Sequence, residues 1–461
     1  MQSSMENKFL KMMMKIIYNP LALSICLYFL ILIGFFCAGA GNYETTDDQL
    51  LRTLVDGSFN RTPVGSYFLL YSSSLIGRLL VFLYSNFPGY YWYDIFQLSL
   101  MSFSSLVIGY SVFSKKKLTF NIFCFLTLFF ILTPLFIRPQ FTFLSGTLAI
   151  AAIVYAVKLL NEGLNSKIHL FFSFFLLFFL SLFSGLIRHE AYLIVTFVGF
   201  IYFTSFFRRQ NYKRFILLTI CGLVIILIVT AIFYVTVIID RSNSDIDYAI
   251  NANKYLVLLY NNTIAGNSPF IPWLPIENKI ENLTEILSRY GWYKGDYRLL
   301  LSWADIGDFD VFSNSNKFLI YSEIGDLISI KSNYKFGFYI QDYFHLFKVY
   351  LIIPFALLIV FFNRRALIYF ILYVGFFFVL VCVLNIFFRS LPQRLWINFC
   401  NLYIIIFLYY LKINSTSILD KLNGVDFPYK KIIKIISLIV FVIVFSFFSF
   451  SLLRKVINQS K

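Results

Sequence analysis

Charge is the first thing this sequence lacks. Asp, Glu, Lys and Arg together make up 13% of its 461 residues, against about 25% in an ordinary soluble domain. Hydrophobic residues reach 59%, and the mean hydropathy is +0.76. A chain this apolar cannot coat a globule with solvated side chains, and it is the opposite of a disordered composition. Histidine is also scarce: three scattered residues offer no metal-ligand spacing. The six cysteines (Cys26, Cys37, Cys124, Cys221, Cys382 and Cys400) all fall within or beside apolar runs. None lies in the one long polar stretch, so there is no disulfide framework, and they read as small buried hydrophobes. No GxxxxGK[ST] segment occurs, which removes the usual signature of an ATP-driven pump. The net charge of +16 would suggest a nucleic-acid partner in a soluble protein. Here no nucleic acid is expected, because Lys and Arg collect on the cytoplasmic side of membrane proteins.

What is present is length without polarity. Apolar runs cover 18–38, 93–113, 118–137, 141–159, 168–187, 191–207, 215–238, 347–362, 366–387, 396–411 and 435–453. Each approaches the roughly 20 residues that a spanning helix needs. Barrel strands would alternate over about ten residues, so the expected class is an all-α polytopic membrane protein with about eleven transmembrane helices.

The basic residues set the orientation. Lys8, Lys11 and Lys15 precede the first run and place the N-terminus in the cytoplasm. Lys115 to Lys117, Lys158 with Lys167, Arg208 to Arg214, Arg364 with Arg365, and Lys412 to Lys434 share that side only if 66–86 does not cross. Within 66–86, Ser66, Ser73, Ser74, Gly77 and Ser85 recur at about helical spacing, with Arg78 beside them. Leucine, isoleucine and phenylalanine fill the rest. That pattern predicts an amphipathic helix lying in the interface, inside an external loop at 41–92.

The expected organisation is a membrane module at 1–238, an extracytoplasmic loop domain at 239–346, and a second membrane module at 347–461. Of 23 acidic residues, 13 lie in 239–346. The carboxylates therefore face the outer side.

Three groups could carry chemistry there. Asp47 and Asp48 stand just outside the first run. One of them could deprotonate an acceptor hydroxyl, or the pair could be a solvated cap on a helix beginning at Gln49. Arg138, Arg188, Arg389 and Arg394 lie at external ends of runs, against the positive-inside bias. A guanidinium fork there suits a lipid-linked phosphate, while the plain alternative is a headgroup anchor or an Arg188–Glu190 pair. Trp292, Tyr293, Tyr297 and Trp303 could stack on a sugar ring or form the core of the loop domain. Asp308-Phe-Asp310 matches a short metal-diphosphate pattern and leaves a divalent metal open as a cofactor, with none required.

With those residues in view, the layout resembles the GT-C superfamily of integral-membrane glycosyltransferases, and more narrowly its bacterial surface-polysaccharide members. The matching stretches are Asp47-Asp48, Phe87-Pro with Trp92-Tyr93, Gln140-Phe-Thr142, Leu186-Ile-Arg-His-Glu190, Gly291-Trp with Asp296-Tyr and Trp303, and Pro392-Gln-Arg394. The resemblance implies an inverting transfer from an undecaprenyl-phosphate-linked sugar to a glycan acceptor such as O antigen. The reaction would occur at the outer face of the bacterial cytoplasmic (inner) membrane. Asp47 or Asp48 would be the base. Arg188 and Arg394 would hold the donor phosphate, with Arg138 and Arg389 beside them, and Glu190, Trp292, Asp296 and Trp303 would contact substrate. An O-antigen polymerase shares the expected span count and large external loop, and a lipid-linked oligosaccharide transporter is the third reading.

Overall fold

The computed structural model describes residues 18–37, 46–58, 65, 67, 69, 72–115, 118–137, 139–163, 166–204, 206, 212–242, 371, 375 and 393–414. Among them there are ten α-helices and no strand. In chain order they are α1 (Pro20–Cys37), α2 (Thr46–Asp56), α3 (Ser74–Asn86), α4 (Trp92–Val112), α5 (Leu118–Ile137), α6 (Phe141–Glu162), α7 (Lys167–Ile187), α8 (His189–Thr204), α9 (Tyr212–Arg241) and α10 (Gln393–Asn414). Four of these, within α4, α6, α7 and α9, are long and apolar enough to cross a membrane. Shorter apolar helices cover Pro20–Ile33, Phe120–Phe136, His189–Thr204 and Ile397–Ile413. The expected runs at 347–362 and 435–453 lie outside the described residues, as do 366–387 except for 371 and 375, and the polar domain from 243 to 346.

Local chemistry explains the helix ends. Asn19 caps α1, its side-chain oxygen accepting from Leu21 N at 3.0 Å, and Pro20 opens the first turn where its missing N–H costs nothing. Ser166 caps α7 by accepting from His169 N at 3.1 Å. Gly163 closes α6 at φ +87°, a left-handed conformation that glycine alone adopts without strain.

The chain divides into two compact units. The first holds Met1–Thr45, Ile95–Thr230 and Tyr339–Lys461. At its centre is α6, buried over almost its whole length, with α7, α8 and α10 packed against it. Small residues make the close approach of these helices feasible, as between membrane helices generally. Gly146 admits the carboxamide of Asn398, which a Cβ would strike, and Gly199 admits Ile153 in the same way. The outward faces are apolar: Phe171, Phe172 and Phe175 on α7, and Ile220, Leu223 and Leu227 on α9, are all exposed. Exposed apolar surface of this extent is at home in lipid.

The second unit holds Thr46–Asp94 and Ala231–Phe338. Its described parts are α2, α3, the start of α4 and the last part of α9. Helix α3 covers 13 residues, about 20 Å of rise, well short of the roughly 30 Å hydrocarbon layer. Residues 65, 67, 69, 72 and 73 are not helical, so the helix starts later than the predicted 66. Ser73, Ser74 and Gly77 are buried, while Leu75, Leu79 and Phe82 are exposed.

Candidate functional site

In the second unit, α2 starts at Thr46, three residues before the Gln49 start that a capping reading of the acids requires. Asp47 and Asp48 therefore sit inside its first turn, where a negative charge meets the positive end of the helix dipole. Successive residues on a helix point about 100° apart, so the two acids take different faces. Asp48 lies on the face of Leu51 and Val55 and is fully buried with them. The side chain of Asp47 lies outside what the structure describes.

A buried carboxylate is costly unless it is hydrogen-bonded. Asp48 meets that need with Tyr93, itself 3% exposed, whose phenol donates to Asp48 Oδ1 at 3.0 Å. Tyr93 stands in the first turn of α4, where backbone N–H groups have no helical partner. Its own N–H donates to the Tyr84 hydroxyl at 3.1 Å, which ties α3 into the same cluster. Burial pushes the Tyr84 phenol above its ordinary value and keeps it protonated.

One turn after Asp48 stands Arg52, a residue that nothing in the sequence singled out. Its Nε lies 3.6 Å from Asp94 Oδ2, and its guanidinium carbon lies 4.5 Å above the ring of Tyr91. Both ionic partners are about 30% exposed. Tyr90 and Trp92 flank Tyr91 in the chain. Tyr90 and Tyr91 are well exposed, and the Tyr90 and Trp92 ring centres are 5.5 Å apart. A carboxylate, a partly exposed guanidinium and flat aromatic faces are the groups that recognise and activate sugar hydroxyls.

The first unit gathers a different set at the N-terminal end of α6. Arg188 lies in the extended link between α7 and α8, with its guanidinium carbon 5.0 Å over the Phe141 ring. Its carbonyl accepts from Ser145 Oγ at 3.1 Å. Ser145 and Ser184 interlock α6 with α7: Ser145 Oγ donates to Ser184 O at 2.9 Å, and Ser184 Oγ donates to Ser145 O at 2.7 Å. From α10, Asn398 Nδ2 donates to Thr142 O at 3.0 Å. Arg394 is in the first turn of α10, four residues before Asn398. The structure thus brings Arg188 and the start of α10 to the same end of α6. Glu190 is exposed in the first turn of α8. Arg138, Arg389, Trp292, Asp296 and Trp303 lie outside the described residues, as does the side chain of Arg394.

The opposite end of α6 carries a cluster that the sequence presented only as inner-side charge. Lys158 is 6% exposed, its ammonium lying 3.0 Å from the centre of the Tyr110 ring and donating to Tyr110 O at 3.2 Å. Lys412 donates to Ser111 O and to Glu162 Oε1, both at 2.9 Å. The two lysines cap carbonyls in the last turn of α4, where cations are favoured. Glu162 counters both, at 3.8 Å from Lys158 and 2.9 Å from Lys412.

Among the described residues no three His, Cys, Asp or Glu side chains stand together as metal ligands. No family model, no characterised protein and no solved structure matches the chain.

Proposed function

We propose that this chain is a membrane glycosyltransferase, with Asp47 and Asp48 at its acceptor site and a polyprenyl-phosphate sugar as donor. The observation that carries this reading is the Asp48–Tyr93 hydrogen bond at 3.0 Å, on the short helix that follows the first apolar helix. Its buried carboxylate fixes the first turn of α2 and so positions Asp47, which takes the acceptor proton. The acceptor oxygen attacks the anomeric carbon as its proton passes to the Asp47 carboxylate. The bond from the anomeric carbon to the phosphate oxygen breaks, and the lipid phosphate leaves with the electron pair. Tyr91 offers the sugar a stacking face. Arg188 and Arg394 are the candidates for the lipid phosphate, since a guanidinium fork matches its oxygens. Displacement from the face opposite the leaving group inverts the anomeric centre. A surface glycan of O-antigen type is the acceptor class in this reading, and a bacterial inner membrane is the setting.

The test is consumption of a radiolabelled polyprenyl-phosphate sugar by the purified full chain in the presence of a glycan acceptor. A transfer product supports the reading, and an untouched donor opposes it.

One observation favours the transport reading. Asn398 and Asn401 are buried in the first unit, and both Asn401 amide atoms and the Asn398 side-chain oxygen have no hydrogen-bond partner. A path for polar cargo would use such groups.

A further inference from the structure

Helix α3 carries apolar residues on its exposed side as well as on its buried one. A surface helix in water turns its apolar stripe inward. Here the buried side is Ser73, Ser74, Ile76, Gly77 and Leu80. Ser73 Oγ lies 3.2 Å from Thr236 Oγ1 on α9, and a Cβ on Gly77 would strike the backbone of Tyr67. The small residues are spent on close approach to the protein. The outward side carries Leu75, Leu79 and Phe82, at 40%, 42% and 58% exposure. These positions are i, i+4 and i+7, one helical face, and Arg78 at i+3 stands among them with half of its side chain exposed.

Arg78 is only partly satisfied by protein. Its Nη2 lies 3.6 Å from Asp240 Oδ1, and its guanidinium carbon lies 4.9 Å over the Tyr67 ring. That ionic separation is longer than a hydrogen bond, and Asp240 Oδ1 accepts none. A guanidinium carries five N–H donors. With half of the side chain exposed, part of that donor set is open beside the apolar stripe.

Depth points to the same surroundings. The 30 residues of α9 rise about 45 Å. With Lys213 and Arg214 at one boundary of a roughly 30 Å hydrocarbon layer, Thr236 and Asp240 reach the headgroup level on the other. Helix α3 is fastened at those two residues. Apolar side chains that enter acyl chains, around a guanidinium held at headgroup depth, match a phospholipid in both of its parts.

We propose that the outward face of α3 is a binding site for an anionic phospholipid of the surrounding bilayer. Arg78 holds the phosphate, and Leu75, Leu79 and Phe82 lie along the chains. The exposure of the stripe selects a bilayer lipid over an enclosed substrate. The inference stands apart from the transferase reading.

The experiment replaces Leu79 with photo-reactive p-benzoylphenylalanine in the full chain. The protein is reconstituted in vesicles of equimolar phosphatidylglycerol and phosphatidylcholine, free of polyprenyl lipid. After illumination, mass spectrometry identifies the adducts. Lipid adducts should form with phosphatidylglycerol about fivefold over phosphatidylcholine, the bias expected of one basic residue near an anionic surface. The bias should fall to about one in the Arg78→Gln background and survive in Asp240→Asn, which removes the competing carboxylate. Adducts to polypeptide in place of lipid, or an equal ratio with Arg78 intact, would overturn the proposal. So would a phosphatidylglycerol bias that Arg78→Gln leaves unchanged.

Discussion

Tyr93 and Asp48, 45 residues apart in sequence, meet through a 3.0 Å hydrogen bond between two side chains that are both almost fully buried. The bond joins the first turn of α2 to the first turn of α4. It holds Asp48 inside, on the face of Leu51 and Val55.

Tyr93→Phe should therefore destabilise the protein by about 1–3 kcal/mol, the range for losing a hydrogen bond to a buried charged group. Asp48→Asn should cost less, because the amide oxygen still accepts from the phenol. Thermal unfolding of the solubilised protein ranks the two. The reverse order would mean that Tyr93 contributes packing and not the bond.

The Lys158–Glu162–Lys412 cluster predicts an asymmetry. Glu162→Ala removes a carboxylate shared by two lysines, one of them buried, and should lower stability by about 1 kcal/mol, since Glu162 is itself 45% exposed. Lys158→Met fills the same volume without a charge and should be neutral or stabilising. Unfolding curves in which Lys158→Met is the worse variant would show that its bond to the Tyr110 carbonyl and its ring contact outweigh the burial of the charge.

Gly146→Ala puts a methyl group against the Asn398 carboxamide. The hydrogen bond to Thr142 O and the α6–α10 spacing should both suffer, at about 1–3 kcal/mol. Gly222→Ala, with nothing within 4 Å of the added carbon, is the control. It should be neutral or gain up to about 1 kcal/mol of helix propensity. A melting comparison of the two single variants decides whether the glycine at 146 is there for the contact.

Arg188→Lys keeps the charge and loses the fork. A phosphate ligand predicts a raised KM for a lipid-linked donor, with a larger loss in Arg188→Ala, about 2–5 kcal/mol if the contact is desolvated. A headgroup anchor predicts that lysine is fully tolerated, because it snorkels as well as arginine. Donor titrations separate these outcomes.

The helices were legible in the sequence where length and apolarity alone decide them. The runs at 93–113, 118–137 and 168–187 correspond closely to Trp92–Val112, Leu118–Ile137 and Lys167–Ile187. The partners were not legible, because they depend on which face meets which neighbour. Nothing near Asp48 in sequence marks it as a buried acid, since the donor comes from Tyr93. Lys158 reads as an inner-side charge until Tyr110 and Glu162 are seen around it. Which side of α3 meets protein is likewise not legible, because apolar residues stand on both of its sides. In a helix packed on protein and surrounded by lipid, small residues belong to the protein contact. Arg52 carried one usable signal, its place one helical turn after Asp48, and that signal appears only once α2 is known to start at Thr46.

The central claim is a transferase whose base lies in the Asp47–Asp48 pair. The most direct measurement is the turnover rate of a radiolabelled polyprenyl-phosphate sugar by the wild-type full chain, Asp47→Asn and Asp48→Asn, each checked for normal membrane insertion. The account predicts turnover by wild type and a loss on the order of 10²–10⁴ in Asp47→Asn, as for removal of a general base. A smaller loss is expected in Asp48→Asn, which keeps the Tyr93 bond. No turnover by wild type, or an Asp47→Asn protein as fast as wild type, would contradict it.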